Sequence, residues 1–138
     1  MTDFIATPNV PAPAAPSSSL VATTLVLYVL FGIAAIAGLV SAGIHLVWPL
    51  ASLVGVIAVI LAYAKRADAA ATWLASHYRW LIRTFWFSFL WGCVGLAAFV
   101  TLIGIPIAIA IWCAASLWVV YRVVRGFLSY TERRPLPM

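Results

Sequence analysis

Charged side chains are missing from two long parts of this chain. Residues 4–64 contain no Asp, Glu, Lys or Arg, and residues 84–121 contain none either. One charge at the centre of a membrane helix costs about 2.5–3.5 kcal/mol on insertion scales, so uncharged tracts of this length are typical of membrane spans. The sequence therefore predicts a multi-pass membrane protein.

The composition excludes an ordinary soluble domain. Of the 138 residues, 66% are hydrophobic and 8% are charged, and the mean hydropathy is +1.13. Soluble domains are about 45–50% apolar and about 25% charged. A soluble fold of this length cannot hide so much apolar surface from water. The length fits one membrane domain.

Residues that carry chemistry are scarce. Cys93 and Cys113 lie in apolar tracts without metal-ligand spacing, so a redox pair is one interpretation and small-residue packing is the favoured one. His45 and His77 would lie at opposite faces of the membrane, which disfavours a shared metal or haem and favours an ordinary hydrogen-bonded role for His77. No nucleophile–base pair is visible, and no span contains a charge for a proton relay. We expect no catalytic residue, no metal, no cofactor and no enzyme activity.

The first residues predict a tail and not a cleaved signal. Residues 1–19 contain Asp3 but no Lys or Arg, so the basic start of a signal peptide is missing. Proline, alanine and serine dominate this segment, which has little apolar surface to bury. We expect a disordered tail here.

Each uncharged tract is long enough for two crossings. A helix over residues 20–64 would be about 67 Å long at a rise of 1.5 Å per residue, whereas a hydrocarbon core of about 30 Å needs about 20 residues. Pro49 suits a first helical turn, and Gly104 with Pro106 marks a break in the second tract. The sequence predicts four transmembrane helices, at about residues 20–42, 48–64, 81–103 and 106–125.

All basic residues fall on one side of the membrane in this topology. They are Lys65, Arg66, Arg79, Arg83, Arg122, Arg125, Arg133 and Arg134. The opposite loops, near residues 43–47 and 102–105, contain none. Basic loops stay in the cytoplasm by the positive-inside rule, so both termini are predicted to be cytoplasmic.

The segment between the two predicted hairpins has the pattern of an amphipathic helix. Asp68 suits an N-cap, and the alanines that follow favour helix. One polar stripe and one aromatic stripe run along it, formed by Thr72, Ser76, Arg79 and Arg83 and by Trp73, His77, Trp80 and Thr84. The predicted fold is all-α, with two transmembrane hairpins joined by a cytoplasmic interfacial helix at residues 69–80 and a basic cytoplasmic tail at residues 131–138.

This cytoplasmic edge is the candidate functional surface. Arginines hold phosphate bidentately, and tryptophans fix depth in the interface, so a docking or lipid-headgroup site is one interpretation. An anchor that only sets the helix position is the other. The candidate lipid- or partner-binding residues are Trp73, His77, Arg79, Trp80, Arg83, Arg122 and Arg125.

Several of these positions belong to a wider pattern. Pro49, the Lys65-Arg66 pair, His77 and the closing Arg125-Gly126…Tyr130…Pro135 resemble a bacterial family of small four-helix membrane proteins of unknown function. That family is related to the twenty-kilodalton subunit of the plastid inner-envelope import translocon. The resemblance implies a multi-pass protein of the bacterial inner membrane, and protein translocation by distant analogy.

Three functions follow as hypotheses. The leading one is a non-enzymatic protein that acts by association, as an accessory subunit of a membrane complex or as a homo-oligomer. The second is a translocation or conducting element, which needs a polar path from Ser41, Ser52, Ser88, Thr101 or Ser116. The third is an anionic-lipid-binding protein that uses the basic tryptophan-rich edge. The basic residues flank apolar spans, so membrane lipids and not nucleic acid are the expected partners.

Overall fold

Four helices make up nearly all of the described chain. The structure is a computed structural model that describes residues 12–40 and 48–137, with the side chains of residues 48–52 outside the description. The helices are α1 (Ser18–Val40), α2 (Trp48–Ala69), α3 (Ala75–Val100) and α4 (Ile105–Thr131). No strand is present in these two ranges. The all-α prediction is confirmed.

The helix starts follow capping chemistry that the sequence carries. Ser17 precedes α1, and its hydroxyl accepts a hydrogen bond of 3.3 Å from the Leu20 N–H, as an N-cap does. Pro49 and Pro106 are the second residues of α2 and α4, where a missing N–H costs nothing. The two predicted proline starts are therefore confirmed, and α1 begins earlier than predicted because Ser17 caps it.

Residues 69–80 do not form the one helix that was predicted for them, because α2 ends at Ala69 and α3 begins at Ala75. Asp68 lies in the last turn of α2 and forms an ion pair of 3.1 Å with Lys65, so it caps no helix. The chain then turns, and the Thr72 side chain accepts a hydrogen bond of 3.2 Å from the Leu74 N–H. A single helix begins at Ala75 and continues without a break to Val100.

The helices pack in a ring. Helix α1 contacts α2 and α4, and α3 contacts the same two neighbours. Helices α1 and α4 are antiparallel, because Val21 accepts a hydrogen bond from Tyr130 near one end while Gly38 faces Ser116 further along. Helices α3 and α4 are also antiparallel, since Trp80 meets Arg122 and Trp112 meets Gly92.

The tightly packed interior lies near the α2–α3 turn. The largest side chains with less than 2% exposure come from α1 and from the first half of α3 and the residue before it: Leu27, Thr24, Leu74, His77, Tyr78, Leu81 and Thr84. The outside of the helices is apolar, and Ile36, Ile60 and Leu117 are at least 60% exposed. Soluble monomers rarely expose apolar surface on this scale.

Three helices are long and apolar enough to cross a membrane: α1, α3 and α4. Helix α2 is not among them in the described part of the chain, and its last turns contain Lys65, Arg66 and Asp68. All described charged residues lie at the bundle end where α2 and α4 finish and α3 begins. The opposite turn, at residues 101–104, contains no charge.

The described segments before α1 and after α4 pack against this charged end. The Ala14 N–H donates to the Ala71 carbonyl across 3.1 Å. Helix α4 is followed by Arg133 in the left-handed conformation, at φ 54°, and the Arg134 N–H donates back to the Ser129 carbonyl, as in a Schellman motif. Leu136 is 4% exposed. The segments that were predicted as tails are therefore ordered here in part, while residues 1–11 lie outside the described residues.

A glycine pair tests this packing. A Cβ added at Gly126 would lie 2.7 Å from the buried Tyr28 hydroxyl, whereas one added at Gly92 would meet no atom within 4 Å. We expect Gly126→Ala to lower the free energy of unfolding by about 1–3 kcal/mol through overpacking. Gly92→Ala, the matched control, should leave it unchanged or raise it. Unfolding of the purified chain in detergent micelles, followed by circular dichroism, measures both, and equal effects would contradict the packing.

Candidate functional site

An aromatic cluster joins the start of α3 to α1 and to the end of α4. The His77 ring lies at its centre, with ring centroids 5.4 Å from Trp73, 5.9 Å from Tyr28 and 6.1 Å from Tyr130. The His77 side chain is fully buried. We refer to these four residues as the His77 cluster.

Both nitrogens of the His77 ring have partners. Nε2 lies 2.9 Å from the carbonyl oxygen of Arg134, and Nδ1 lies 2.7 Å from the Tyr28 hydroxyl. A carbonyl oxygen can only accept, so Nε2 carries the proton. In the neutral ring Nδ1 therefore accepts from Tyr28. The imidazole has no position left for a metal or a substrate.

The polar groups around the cluster are also paired. The Tyr130 hydroxyl donates to the Val21 carbonyl across 2.9 Å. The Thr24 hydroxyl donates to the Leu20 carbonyl across 2.8 Å and lies 3.4 Å from the Tyr78 hydroxyl. No buried side-chain N or O atom in the described part of the chain lacks a hydrogen-bond partner. These hydrogen bonds join segments that are distant in the sequence: α1, the start of α3 and the end of α4.

A second constellation lies on the α3–α4 seam. The Arg122 guanidinium stacks over the Trp80 ring, 3.6 Å from its centroid, and lies 4.9 Å from the centroid of Trp118. Its Nε donates to the Thr84 hydroxyl across 2.8 Å, and the Trp80 indole N–H donates to the Arg122 carbonyl across 3.1 Å. Thr84 in turn donates to the Trp80 carbonyl. These contacts hold the arginine in one orientation.

Two further cations border this seam. Arg83 and Arg125 are exposed, and their positive charges act on the Arg122 guanidinium. Arg125 donates to the Tyr121 hydroxyl across 2.8 Å. We define the arginine seam as Arg83, Arg122 and Arg125 with the two indoles of Trp80 and Trp118.

An apolar cavity of about 590 Å³ lies among the four helices, away from the charged end. Its walls include Phe85, Trp112 and three glycines, Gly38, Gly55 and Gly92. A Cβ added at these glycines would meet nothing closer than 3.8 Å, so the glycines leave room and do not serve close helix contact. Cys93 also lines the cavity.

The structure places six of the seven predicted site residues in two groups. Trp73 and His77 lie in the His77 cluster, and because His77 is fully buried it cannot touch a lipid headgroup or a partner surface. Trp80, Arg83, Arg122 and Arg125 are brought together at the arginine seam. Arg79 is exposed on the first turns of α3.

Sequence reasoning missed several residues of these sites. Trp118 escaped notice although it precedes Arg122 by four positions, the spacing that places two side chains on one helix face. Tyr28 gave no local signal because its partners are distant in the chain, and Tyr130 entered only through the family resemblance, without a predicted contact.

Metal and redox chemistry receive no support from the geometry. Within residues 12–40 and 48–137, no group of three His, Cys, Asp or Glu side chains is placed to hold a metal. Cys93 and Cys113 are both free thiols. The prediction that His45 and His77 lie at opposite faces of the membrane stays a prediction, because His45 lies outside the described residues.

Comparisons with known proteins add no relative. The chain matches no family model, and neither curated proteins nor solved structures give a significant match. The resemblance to the bacterial four-helix family stays a prediction, and function has to be argued from the geometry alone.

The Tyr28–His77 hydrogen bond gives a direct test of the cluster. Tyr28→Phe would leave Nδ1 of a buried ring without its donor, and an unsatisfied buried polar group costs about 1–3 kcal/mol. We expect the free energy of unfolding in detergent to fall by that amount. Tyr63→Phe is the control, because Tyr63 is exposed and only accepts from the Trp86 indole. A Tyr28→Phe variant as stable as the control would remove the structural role of the bond.

Proposed function

We propose that the chain is a non-enzymatic multi-pass protein of the bacterial inner membrane that crosses the bilayer four times as two hairpins, with both termini in the cytoplasm. The apolar helices α1, α3 and α4 support three crossings. For α2, the support is that its first seventeen residues, 48–64, contain no charge. The collection of the described cations at one end supports the orientation.

We infer that the protein acts by association, as an accessory subunit or as a homo-oligomer. The observation that carries this inference is that the polar groups of the protein fall into two sets, one in the interior and one at the surface. Those of the interior, such as His77 and Thr24, are used in holding the fold. The arginine seam, in contrast, presents two exposed cations, Arg83 and Arg125, beside the half-buried Arg122 and two half-buried indoles. Its position at the edge of the bundle suits a membrane partner or a membrane lipid.

Anionic-lipid binding is the second candidate, and the Arg122 stack favours it. Guanidinium groups oriented on aromatic rings keep N–H donors available for a planar or tetrahedral anion. A conducting function has weaker support. Of the hydroxyls that it needs, Ser88 and Ser116 line an otherwise apolar cavity, and Ser88 donates to the Thr84 carbonyl. Thr101 lies in the far turn, and Ser41 and the Ser52 side chain lie outside the described residues.

Compartment labelling tests the four crossings. In a background of Cys93→Ala with Cys113→Ala, single cysteines replace four exposed residues: Ala12, Ala67, Leu102 and Leu128. With a membrane-impermeant maleimide on intact spheroplasts, we expect only the cysteine at position 102 to react. If α2 did not cross, the probes at positions 12 and 67 would report opposite compartments, which would overturn the proposed topology.

Co-purification tests the association. When tagged and untagged copies are produced together and extracted in a mild detergent, we expect the untagged copy or a stoichiometric membrane partner to elute with the tagged one. Mixing separately extracted membranes is the control, because exchange after extraction would appear there too. A strictly monomeric species without any partner would contradict the proposal.

A further inference from the structure

Arg122 lies unusually deep for a cation. Along α4, Arg122 lies sixteen residues after Pro106, or about 24 Å at a rise of 1.5 Å per residue. Along α3, Arg83 lies seventeen residues before the helix ends at Val100, or about 26 Å. A hydrocarbon core is about 30 Å thick. If the turn at residues 101–104 lies at its non-cytoplasmic boundary, both guanidinium groups therefore fall at or just inside the cytoplasmic boundary.

The arginine seam has three cations and no carboxylate partner in the described part of the chain. The chain has only three acidic side chains. Asp68 pairs with Lys65, Glu132 pairs with Arg134, and Asp3 lies outside the described residues. Arg83 and Arg125 repel Arg122. At the edge of a low-dielectric layer, such a group of like charges is stabilised by an anion from elsewhere.

The donors of Arg122 are arranged for such an anion. A guanidinium has five N–H groups, and in the described structure only the Nε group has a hydrogen-bond partner, Thr84. Because no buried side-chain polar atom there lacks a partner, the remaining N–H groups of Arg122 reach the surface. The rings of Trp80 and Trp118 hold the guanidinium plane in place, so little side-chain entropy is lost when an anion binds.

We propose that the arginine seam is a binding site for the phosphate group of an anionic membrane lipid, with Arg122 as the oriented donor and Arg83 and Arg125 as flanking charges. This proposal rests on the membrane insertion proposed above. Phosphate matches guanidinium geometry, and the positive charges of Arg83 and Arg125, which act on Arg122, add to its attraction.

The surroundings favour a lipid over free phosphate as the source. The exposed Phe87 packs edge-on against Trp118, with ring centroids 6.0 Å apart. Phe87 lies on the side of the seam that faces the turn at residues 101–104, away from the charged end. A headgroup on the arginines would therefore continue into acyl chains along an aromatic surface. Indoles are also the side chains that prefer the headgroup level of a bilayer.

The test uses the full chain in a neutral detergent, with lipid binding measured by native mass spectrometry and thermal unfolding. The probes are phosphatidylglycerol, phosphatidylcholine with the same acyl chains, and inorganic phosphate. We expect phosphatidylglycerol to bind the unmodified chain at least about tenfold more tightly than phosphatidylcholine. Inorganic phosphate at the same concentration should leave the melting temperature unchanged.

Two double variants separate the site from general charge. Arg83→Gln with Arg125→Gln removes two exposed cations from the seam, and we expect it to remove the preference for phosphatidylglycerol. Arg133→Gln with Arg134→Gln removes the same charge from the same end of the molecule, and the His77 bond survives because it uses the Arg134 backbone. We expect this control to keep the preference. Arg122→Lys keeps the charge but loses the Nε donor, and it should also lose the preference.

The outcomes distinguish this site from the proposed function. Equal loss in both double variants would overturn the proposal, because the effect would then be general surface charge. Stabilisation by inorganic phosphate as strong as that by phosphatidylglycerol would overturn the lipid source. A chain that passes the compartment labelling but shows no lipid preference would refute the site alone, whereas a chain that fails the labelling would refute the proposed function first.

Discussion

The imidazole of His77 is the contact on which the rest of the fold depends. Through its two nitrogens it joins Tyr28 of α1, its own helix α3 and the backbone after α4. Each of these segments is an apolar helix or its continuation. In a bilayer, where lipid tails are as apolar as leucine, the burial of apolar side chains does not by itself hold such helices together. Close packing and directed hydrogen bonds therefore hold them together. The interior is accordingly dense where these bonds lie and open around the cavity further along.

The same end of the bundle contains all the described charges, and this gives the molecule two unlike halves. One half has paired polar groups, stacked rings and cations that are held in place. The other has exposed aliphatic side chains, small residues and an apolar cavity of about 590 Å³. Arg122 lies between these halves, and its contacts with Trp80 and Thr84 show how a cation is kept at that boundary. The seam is therefore both an element of the fold and the strongest candidate surface for binding.

The sequence predicted the helices well where the local chemistry was strong. Pro49 and Pro106 marked two starts, and the uncharged tracts marked the apolar helices. The helix over residues 69–80 failed because Asp68, a good N-cap by residue type, was already paired with Lys65 inside α2. His77 was expected to be hydrogen-bonded and was also placed among the candidate binding residues, but its partners, Tyr28 and the Arg134 carbonyl, could not be named because they are 49 and 57 positions away. Contacts of that kind follow from the packing of all the helices and leave no local pattern.

The docking of Arg134 has a consequence for how the chain is made. Synthesis proceeds from the N-terminus, so α1 and α3 are made before the Arg134 carbonyl that pairs with Nε2 of His77 exists. During that interval the Nε2 proton of the imidazole is paired with water or left without an acceptor. Completion of the hydrogen-bonded core is therefore a late event, which follows the emergence of the last helix from the ribosome.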